Sequence, residues 1–539
     1  MMHGRRLTSH RQQVDNGLMT GRSPLPRRVE VLAGLSVAID LGLGQPAEHM
    51  LRSAVIACRL SDRLGLDRTQ RDTTYYATLL MWIGCHADSQ EYARWFGDDI
   101  AVRSDAYLVD WSGIPYFRFL LGNVARGEPI GYRVKTMATL FRDARGQIAT
   151  LVHSHCMSAA ALARHIGLGP DVERAIAFTY ERYDGGGLPN GVSADDIPIE
   201  MRVAQLADMV EVHHRTYGVD GAVAMARSRR GGHFDPAVVD AFVTDPEGVL
   251  SVVGDDPWSS AMSLAPDSEI SLDEPGLDAL VMAIGDFGDL KCPFALGHSR
   301  RVAEIVDSAA GQLGMSPVEI DGVRRAGYLH DVGRIGVSSQ IWSKPGDLTG
   351  AEWERVRMHP YLTDRVLMRI PGFDDVAAIA RSHHEHLDGT GYPLGIGGAA
   401  LGRGQRLVAA AVAFRSAGEP RPYRAELSDE EAVARIKRRV DRGALDGECV
   451  EAVLTAAGHK RVRIRRDDAL TPRETEILGL VARGMSNREI AARLVLSEKT
   501  VRNHVERTYT KIGATNRVGA SLYALRHGLA GPDAEGLSG

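Results

Sequence analysis

The strongest constraint on this chain is that it repeats itself. Glu385-His386-Leu387-Asp388-Gly389-Thr390-Gly391-Tyr392-Pro393 has a counterpart 204 residues earlier in Glu181-Arg182-Tyr183-Asp184-Gly185-Gly186-Gly187-Leu188-Pro189, with Glu, Asp, two glycines and Pro in one register. The same offset takes His359 onto His155 and Arg406 onto Arg202. Further upstream a second constant offset, 249, takes His298 onto His49, Leu313-Gly314 onto Leu64-Gly65 and Gly333 onto Gly84. Self-similarity at fixed spacing marks a duplicated structural unit. The difference of 45 residues between the offsets puts an insertion into the first copy between about Gly84 and His155.

Both copies read as helical. Apolar residues recur at three- and four-residue spacing in segments such as His298–Leu313 and Val323–His330, and aromatic residues make up only 6% of the chain, which favours helix packing over a β-sandwich. The expected fold class is all-α: two helical domains in tandem and a small carboxyl-terminal bundle. At 539 residues the chain exceeds one core. The expected order is a basic tail at 1–28, a first copy at 29–252, a linker at 253–273, a second copy at 274–457, a basic linker at 458–468 and the small bundle at 469–530. The tail carries Arg5, Arg6, Arg11, Arg22, Arg27 and Arg28 with no apolar segment behind them, so it is no secretory signal. The best membrane candidate, Val31 to Gly44, contains Asp40 and is too short to span, so no membrane partner is expected. Cys58, Cys85, Cys156, Cys292 and Cys449 lie far apart without a Cys-x-x-Cys pair. Reduced thiols and a cytoplasmic location are the expectation.

Chemistry concentrates in the second copy. His330-Asp331, His359 and His383-His384 sit among apolar residues, where imidazoles and carboxylates are costly unless an ion compensates them. Neutral imidazole with carboxylate suits a divalent transition metal such as iron or manganese. His298, His330, Asp331, His359, His383 and His384, followed by Gly391-Tyr392-Pro393, resemble the HD-GYP branch of the HD phosphohydrolase family over roughly 274–457. The resemblance implies hydrolysis of the cyclic dinucleotide cyclic di-GMP at a centre of two or three metals. It assigns His298, His330 and Asp331 with a later Asp to one ion, and Asp331, His359, His383 and His384 to the other. It further implies catalytic roles for Asp331 and Arg334, and a substrate loop of Asp388, Gly389, Gly391, Tyr392 and Pro393.

The chain departs from that pattern twice. Val412 stands where the later Asp is expected, and Arg334 stands where relatives often have Lys. Arginine keeps the positive charge but changes the geometry. The first copy has lost more: Met81 and Trp82 replace the His-Asp pair, and Thr179 and Tyr180 replace the His pair, while His49, His155 and Asp208 persist. His86-Ala87-Asp88 lies five residues late and does not restore the register. The first site is therefore expected to be packed core, in a sensory, dimerising or scaffold domain.

The carboxyl end has its own signature. Thr471-Pro472-Arg473-Glu474 and Ser486-Asn487-Arg488-Glu489 each read as a capping box opening a helix. A third helix is expected from Ser497 to about Ile512, with Val501, Val505, Thr508 or Tyr509, and Ile512 on its buried face. Two short helices joined at Val495-Leu496 make a helix-turn-helix. Leu470–Glu474, Gly484–Ala491 and Lys499–Val505 resemble the LuxR-type DNA-binding domain. Residues 465–526 hold 12 Lys or Arg against 7 Asp or Glu, a net +5 in a chain of −5. Positive charge thus collects where phosphates would lie. Arg502, Asn503 and Glu506 are the candidates for base edges, and Lys499, Thr500, Lys511 and Arg517 for phosphates. Double-stranded DNA is the expected partner, and the resemblance implies a homodimer on a two-fold site.

Two functions remain open at this level. One is a DNA-binding transcriptional regulator whose helical pair senses a metal or a ligand such as a cyclic dinucleotide. The other is an active metal-dependent phosphodiesterase with an appended DNA-binding domain.

Overall fold

The computed structural model describes residues 25–529 except 112, 127–128, 143, 252–255, 267–271, 461–469, 471, 513, 515 and 528. Most of the expected basic tail, parts of both expected linkers, Thr471 and Gly513 therefore lie outside the described residues.

Among the described residues the fold is all-α. Local chemistry sets the helix starts. Asp67, Ser316, Thr349, Ser428 and Ser486 each accept from the backbone N–H three residues on, and a Glu or Gln there reaches back to close a capping box.

The duplication is visible in three dimensions. Helices His49–Arg63, Arg68–Leu80 and Ile199–Ser228 of the first copy answer to His298–Gln312, Pro317–Leu329 and Arg403–Gly418 of the second. His49 and His298 each open a helix directly after a left-handed residue, Glu48 at φ 72° and Gly297 at φ 70°. The shared glycines have a steric cause. A Cβ on Gly333 would sit 2.1 Å from the His359 carbonyl oxygen, and one on Gly84 would sit 2.3 Å from the His155 carbonyl oxygen. Only glycine allows that approach, which is why the offset of 249 runs through it.

The boundary between the copies differs from expectation. They share a core: Ile39, Ala38 and Leu80 of the first copy belong to one apolar cluster with Ile284, Leu329 and Val366 of the second, while Val302, Leu407 and Val450 belong to another within the second copy alone. Helix Arg28–Leu43 is buried on nearly every side, which explains its largely apolar sequence without a membrane. A Cβ on Gly34 would meet Ile370 Cγ1 at 2.5 Å, so small residues let the copies close together. A buried ion pair also crosses the junction, with Lys291 Nζ 2.6 Å from Asp99 Oδ2 and neither side chain exposed.

The expected linker at 253–273 is corrected as well. Its middle is a helix, Pro257–Leu264, capped by Asp256, with Ala261 and Met262 buried against the first copy. The Tyr75 hydroxyl donates to the Ala261 carbonyl at 3.2 Å. Acidic and serine-rich composition concealed a short helix with one apolar face.

The insertion of the first copy supplies helices Ser89–Phe96, Asp99–Ala106, Gly113–Asn123 and Ile130–Arg142. At the carboxyl end, helices Pro472–Ala482, Asn487–Leu494, Glu498–Ile512 and Arg517–Arg526 pack around a core that includes Ile477, Leu480, Ile490, Val501 and Val505. No described helix is long and apolar enough to cross a membrane.

Candidate metal centre and nucleic-acid interface

In the second copy, helix ends bring the candidate ligands together. His298 opens helix His298–Gln312, His330 closes Pro317–Leu329, His359 opens His359–Leu367, and His383 and His384 follow Asp374–Ala380. Thr363 ties two of these ends together: its hydroxyl donates to the His330 carbonyl at 2.8 Å and accepts the Gly333 N–H at 3.0 Å.

Asp331 stands between two sets of imidazoles. Its Oδ2 lies 3.0 Å from His330 Nε2 and 3.8 Å from His298 Nε2, while its Oδ1 lies 3.4 Å from both His359 Nε2 and His383 Nε2. His298, His330 and Asp331 converge on one point, and His359, His383 and His384 on another, with ligand atoms in each group within 4.8 Å of one another. All six predicted ligands are thus brought together.

The imidazoles are prepared for coordination. Nδ1 of His330, His359 and His383 lies 2.8, 2.5 and 2.6 Å from the carbonyl three residues upstream. Those carbonyls hold the proton on Nδ1 and turn Nε2 inward as a bare donor. Burial pushes the pKa of His383 down to about 3 and that of His384 well below its ordinary value. For His298 burial outweighs Glu419 and leaves about 4. Neutral rings are the form that binds cations.

Buried atoms test whether a metal fits. Nε2 of His298 and His330 and both carboxylate oxygens of Asp331 are buried without a well-formed hydrogen bond. Such groups are rarely left unsatisfied, and two cations sharing Asp331 would satisfy all four. The residues present fit a metal pair.

Glu419 was missed by sequence reasoning. Its Oε2 lies 2.8 Å from His298 Nδ1, bent from an ideal hydrogen-bond line, and its Oε1 accepts from Arg301 at 2.9 Å. The available signal was position: Glu419 lies two helical turns beyond Val412, on the same face. Val412 itself is 1% exposed in an apolar cluster with Val302 and Val306. Arg334 Nη2 meets Asp331 Oδ2 at 2.8 Å, and its guanidinium lies over the Trp342 ring at 5.3 Å.

The loop residues divide the work. A Cβ on Gly391 would lie 2.4 Å from His386 N, and Gly389 has φ 75°, so both glycines are required by the backbone. Asp388 accepts from the Thr390 N–H at 3.0 Å and hydroxyl at 2.7 Å, bracing the turn. The Tyr392 ring, followed by Pro393, stacks on His384 with centroids 4.7 Å apart.

In the first copy protein groups replace the ligands. Asp208 accepts from the Trp82 indole N–H at 3.1 Å and sits 2.9 Å from His49 Nε2, while His49 Nδ1 lies 2.6 Å from Glu211. Burial disfavours the His49 cation, but Glu211 and Asp208 raise its pKa to about 10. Tyr180 keeps the ring arrangement of the lost His384: it meets His155 edge-on at 5.0 Å, as His384 meets His359 at 5.1 Å. The expected packed core is only half right, because a cavity opens in front of Trp82. His86 lies elsewhere, its ring 4.5 Å from Phe287 at the junction of the copies.

The reader domain follows expectation in its elements. Helix Asn487–Leu494 has the Ser486–Glu489 capping box, Val495 turns the chain at φ 54°, and Ser497 accepts from Thr500 N at 3.1 Å to open Glu498–Ile512. Val501, Val505 and Thr508 are buried, whereas Lys499, Arg502, Asn503, Glu506 and Arg507 are exposed. Three residues expected at phosphates have other work. Lys511 Nζ binds Glu474 at 2.7 Å, Arg517 hydrogen-bonds the Met485 carbonyl, and the Thr500 hydroxyl pairs with Ser497 at 2.7 Å. Their position at helix junctions, invisible in a linear pattern, recruits them to hold the bundle.

Comparison with known proteins agrees with this arrangement. The HD domain family matches residues 147–238 and 286–449, and the family of bacterial regulatory proteins of luxR type matches 468–524. A 3'3'-cGAMP-specific phosphodiesterase 3 of Vibrio cholerae is 30% identical over 432 residues, covering 79% of this chain and 94% of the relative. A cyclic di-GMP phosphodiesterase of Thermotoga maritima is 36% identical over 142 residues, 26% of this chain and 39% of the relative. The crystal structure of a cyclic GMP-AMP specific phosphodiesterase of V. cholerae superposes with a TM-score of 0.56 at 27% identity, covering 81% of this chain and 99% of that one.

Proposed function

Because the chain belongs to the HD domain family and ends in a LuxR-type DNA-binding domain, we propose that it is a DNA-binding regulatory protein whose second copy is a metal-dependent cyclic dinucleotide phosphodiesterase. The observation that carries this reading is Asp331, whose two oxygens are shared between His298 with His330 on one side and His359 with His383 on the other.

When bound, a pair of divalent cations supplies an activated water near neutral pH and neutralises phosphoryl charge. His298, His330 and Asp331 would hold one cation, and Asp331, His359, His383 and His384 the other. Arg334 offers a buried guanidinium beside the site for a phosphoryl oxygen. Tyr392, fixed on His384 by the glycine loop, presents a flat wall that keeps water from that side. The cyclic dinucleotide as substrate is supported by the relatives named for cGAMP and cyclic di-GMP.

Val412 favours a second reading. With no carboxylate there, a cation at His298 and His330 would have three protein ligands, His298, His330 and Asp331, and a protein that binds the nucleotide without turnover would then act through its DNA reader alone. In either case helix Glu498–Ile512 enters the major groove of double-stranded DNA, with Arg502 and Asn503 on base edges and Lys499 on phosphate, and a homodimer reads a two-fold site.

Incubating the protein with manganese or iron and either 3'3'-cGAMP or cyclic di-GMP separates the readings. Linear product from wild type and none from Asp331→Ala supports the phosphodiesterase. Nucleotide binding without product supports the sensor.

A further inference from the structure

The first copy contains a cavity of about 380 Å³, at the small end of the usual range for ligand pockets, where its metal ligands have been lost. Trp82, Tyr92, Tyr107, Trp111, Tyr116 and Tyr180 line it. Their rings meet both edge-on and stacked and leave open space between them. Trp82 meets Tyr180 edge-on at 83°, and Trp111 lies at 29° to Tyr180 with centroids 6.0 Å apart. Aromatic walls set at these angles offer both face and edge contacts to a flat ring.

The charged groups of the wall already have partners. Asp208 is held by Trp82 and His49, Arg103 by Asp88 at 2.8 Å, and Arg182 by Asp184 at 2.9 Å. A dianionic cyclic dinucleotide would find no free counter-charge here. Three polar atoms of the wall are buried without a hydrogen-bond partner: Nη1 of Arg182, Nδ1 of His233 and the uncharged hydroxyl of Tyr107, a residue 4% exposed. An acceptor on a ligand would complete that hydroxyl.

The same short helix touches both sites. Val102, Arg103 and Ala106 of Asp99–Ala106 line the cavity, followed by Tyr107. At its other end Asp99 accepts from Lys291 at 2.6 Å, the Ser338 hydroxyl at 2.9 Å and Ser339 N at 2.8 Å. Ser338 and Ser339 follow, after Val337, the turn Val332–Gly336 that leaves Asp331. Helix Ser89–Phe96 adds a second contact, where Gln90 accepts from the Ser343 hydroxyl at 2.8 Å.

We propose that the first copy binds a small, flat, uncharged aromatic or heteroaromatic molecule in this cavity, with an acceptor facing Tyr107, and that helix Asp99–Ala106 carries its occupancy to the turn behind Asp331. The effect on metal chemistry rests on the function proposed above; the cavity and the coupling do not. A ligand that orders Arg103 and Tyr107 restrains Asp99, and a close-packed junction passes that restraint to Ser338 and Ser339.

Quinoline, a flat ring system with one acceptor nitrogen, is the probe, and decanoate is the contrast. In full-length protein, saturation-transfer NMR is expected to show quinoline binding and weaker decanoate binding. Tyr107→Phe should weaken quinoline about tenfold, the loss of one buried hydrogen bond. Ala106→Phe, which fills the cavity, should abolish it, with circular dichroism reporting that the fold is kept. Quinoline should slow amide hydrogen exchange across residues 337–342, and Asp99→Asn should remove that protection while leaving quinoline bound. Absence of binding to folded wild type, or decanoate binding as tightly, overturns the site. Binding with unchanged exchange at 337–342 overturns the coupling. Failure of the protein to take up manganese would defeat the metal reading and leave both results standing.

Discussion

Glu419 Oε2 lies 2.8 Å from Nδ1 of His298, the imidazole whose other nitrogen faces Asp331. Burial works against the Glu419 carboxylate, but His298 and Arg301 bring its pKa down to about 2, so it is ionised at any working pH. A carboxylate behind a ligating histidine fixes the ring and raises its basicity. Glu419→Gln keeps the shape and removes the charge. Manganese affinity, measured by competition with a chelating dye, is expected to fall about 10–100-fold with little change in the helical signal.

Val412→Asp tests the missing ligand. In the first copy the equivalent Asp208 reaches both His49 and Trp82, so a carboxylate at this position faces the site. Burying it without a cation, even as the neutral acid, should cost at least about 1–3 kcal/mol. The variant is therefore expected to melt lower than wild type in chelator and to gain more on adding manganese. Linearisation of the cyclic dinucleotide should rise in the same variant. Equal metal responses in the two proteins would show that the position does not face the cation.

The first copy should weaken in alkali. His49 has a pKa of about 10 in the folded protein against an ordinary 6.5, so its contribution is complete below about 6.5 and is lost as the pH rises through 10. Glu211 is held near 2 against an ordinary 4.5, so its contribution is complete above about 4.5 and is lost as the pH falls toward 2. Thermal unfolding followed by Trp fluorescence is expected to show the melting point falling as the pH rises from about 6.5 toward 10. In His49→Gln that alkaline slope should flatten.

For the reader domain, Arg502→Ala should cost about 1–3 kcal/mol on the preferred sequence and relax the preference at one base pair. Lys499→Ala should weaken all sequences alike and lower the salt slope by about 1. Lys511→Ala is expected to lower stability instead, since Lys511 is bound to Glu474. Gel-shift titrations over a salt series, with melting curves of each variant, distinguish these outcomes.

Some of this was open to reading along the chain. Ligands at helix ends keep fixed spacing, because a slip of one residue turns a side chain by about 100° and out of the site. Gly84 and Gly333 stayed in register because each abuts a carbonyl. The Ser486–Glu489 box and the buried Val501, Val505 and Thr508 could be placed for the same reason, since capping and helical periodicity act over a few residues. The amino-acid order by itself therefore determined the duplication, the helical class, the gathering of five histidines around Asp331 and the helix-turn-helix.

Only the tertiary structure decided the rest. Glu419 reaches His298 from 121 positions away in the chain, Asp99 meets Lys291 across 192, and both depend on how whole helices pack. Packing also joined the two copies through a shared apolar cluster, engaged Lys511 and Arg517 inside the reader, and left a cavity where Met81 and Trp82 were expected to fill space. The physical reason is range: periodicity and capping are properties of neighbours, whereas burial, charge pairing and empty volume are properties of surfaces that meet only after folding.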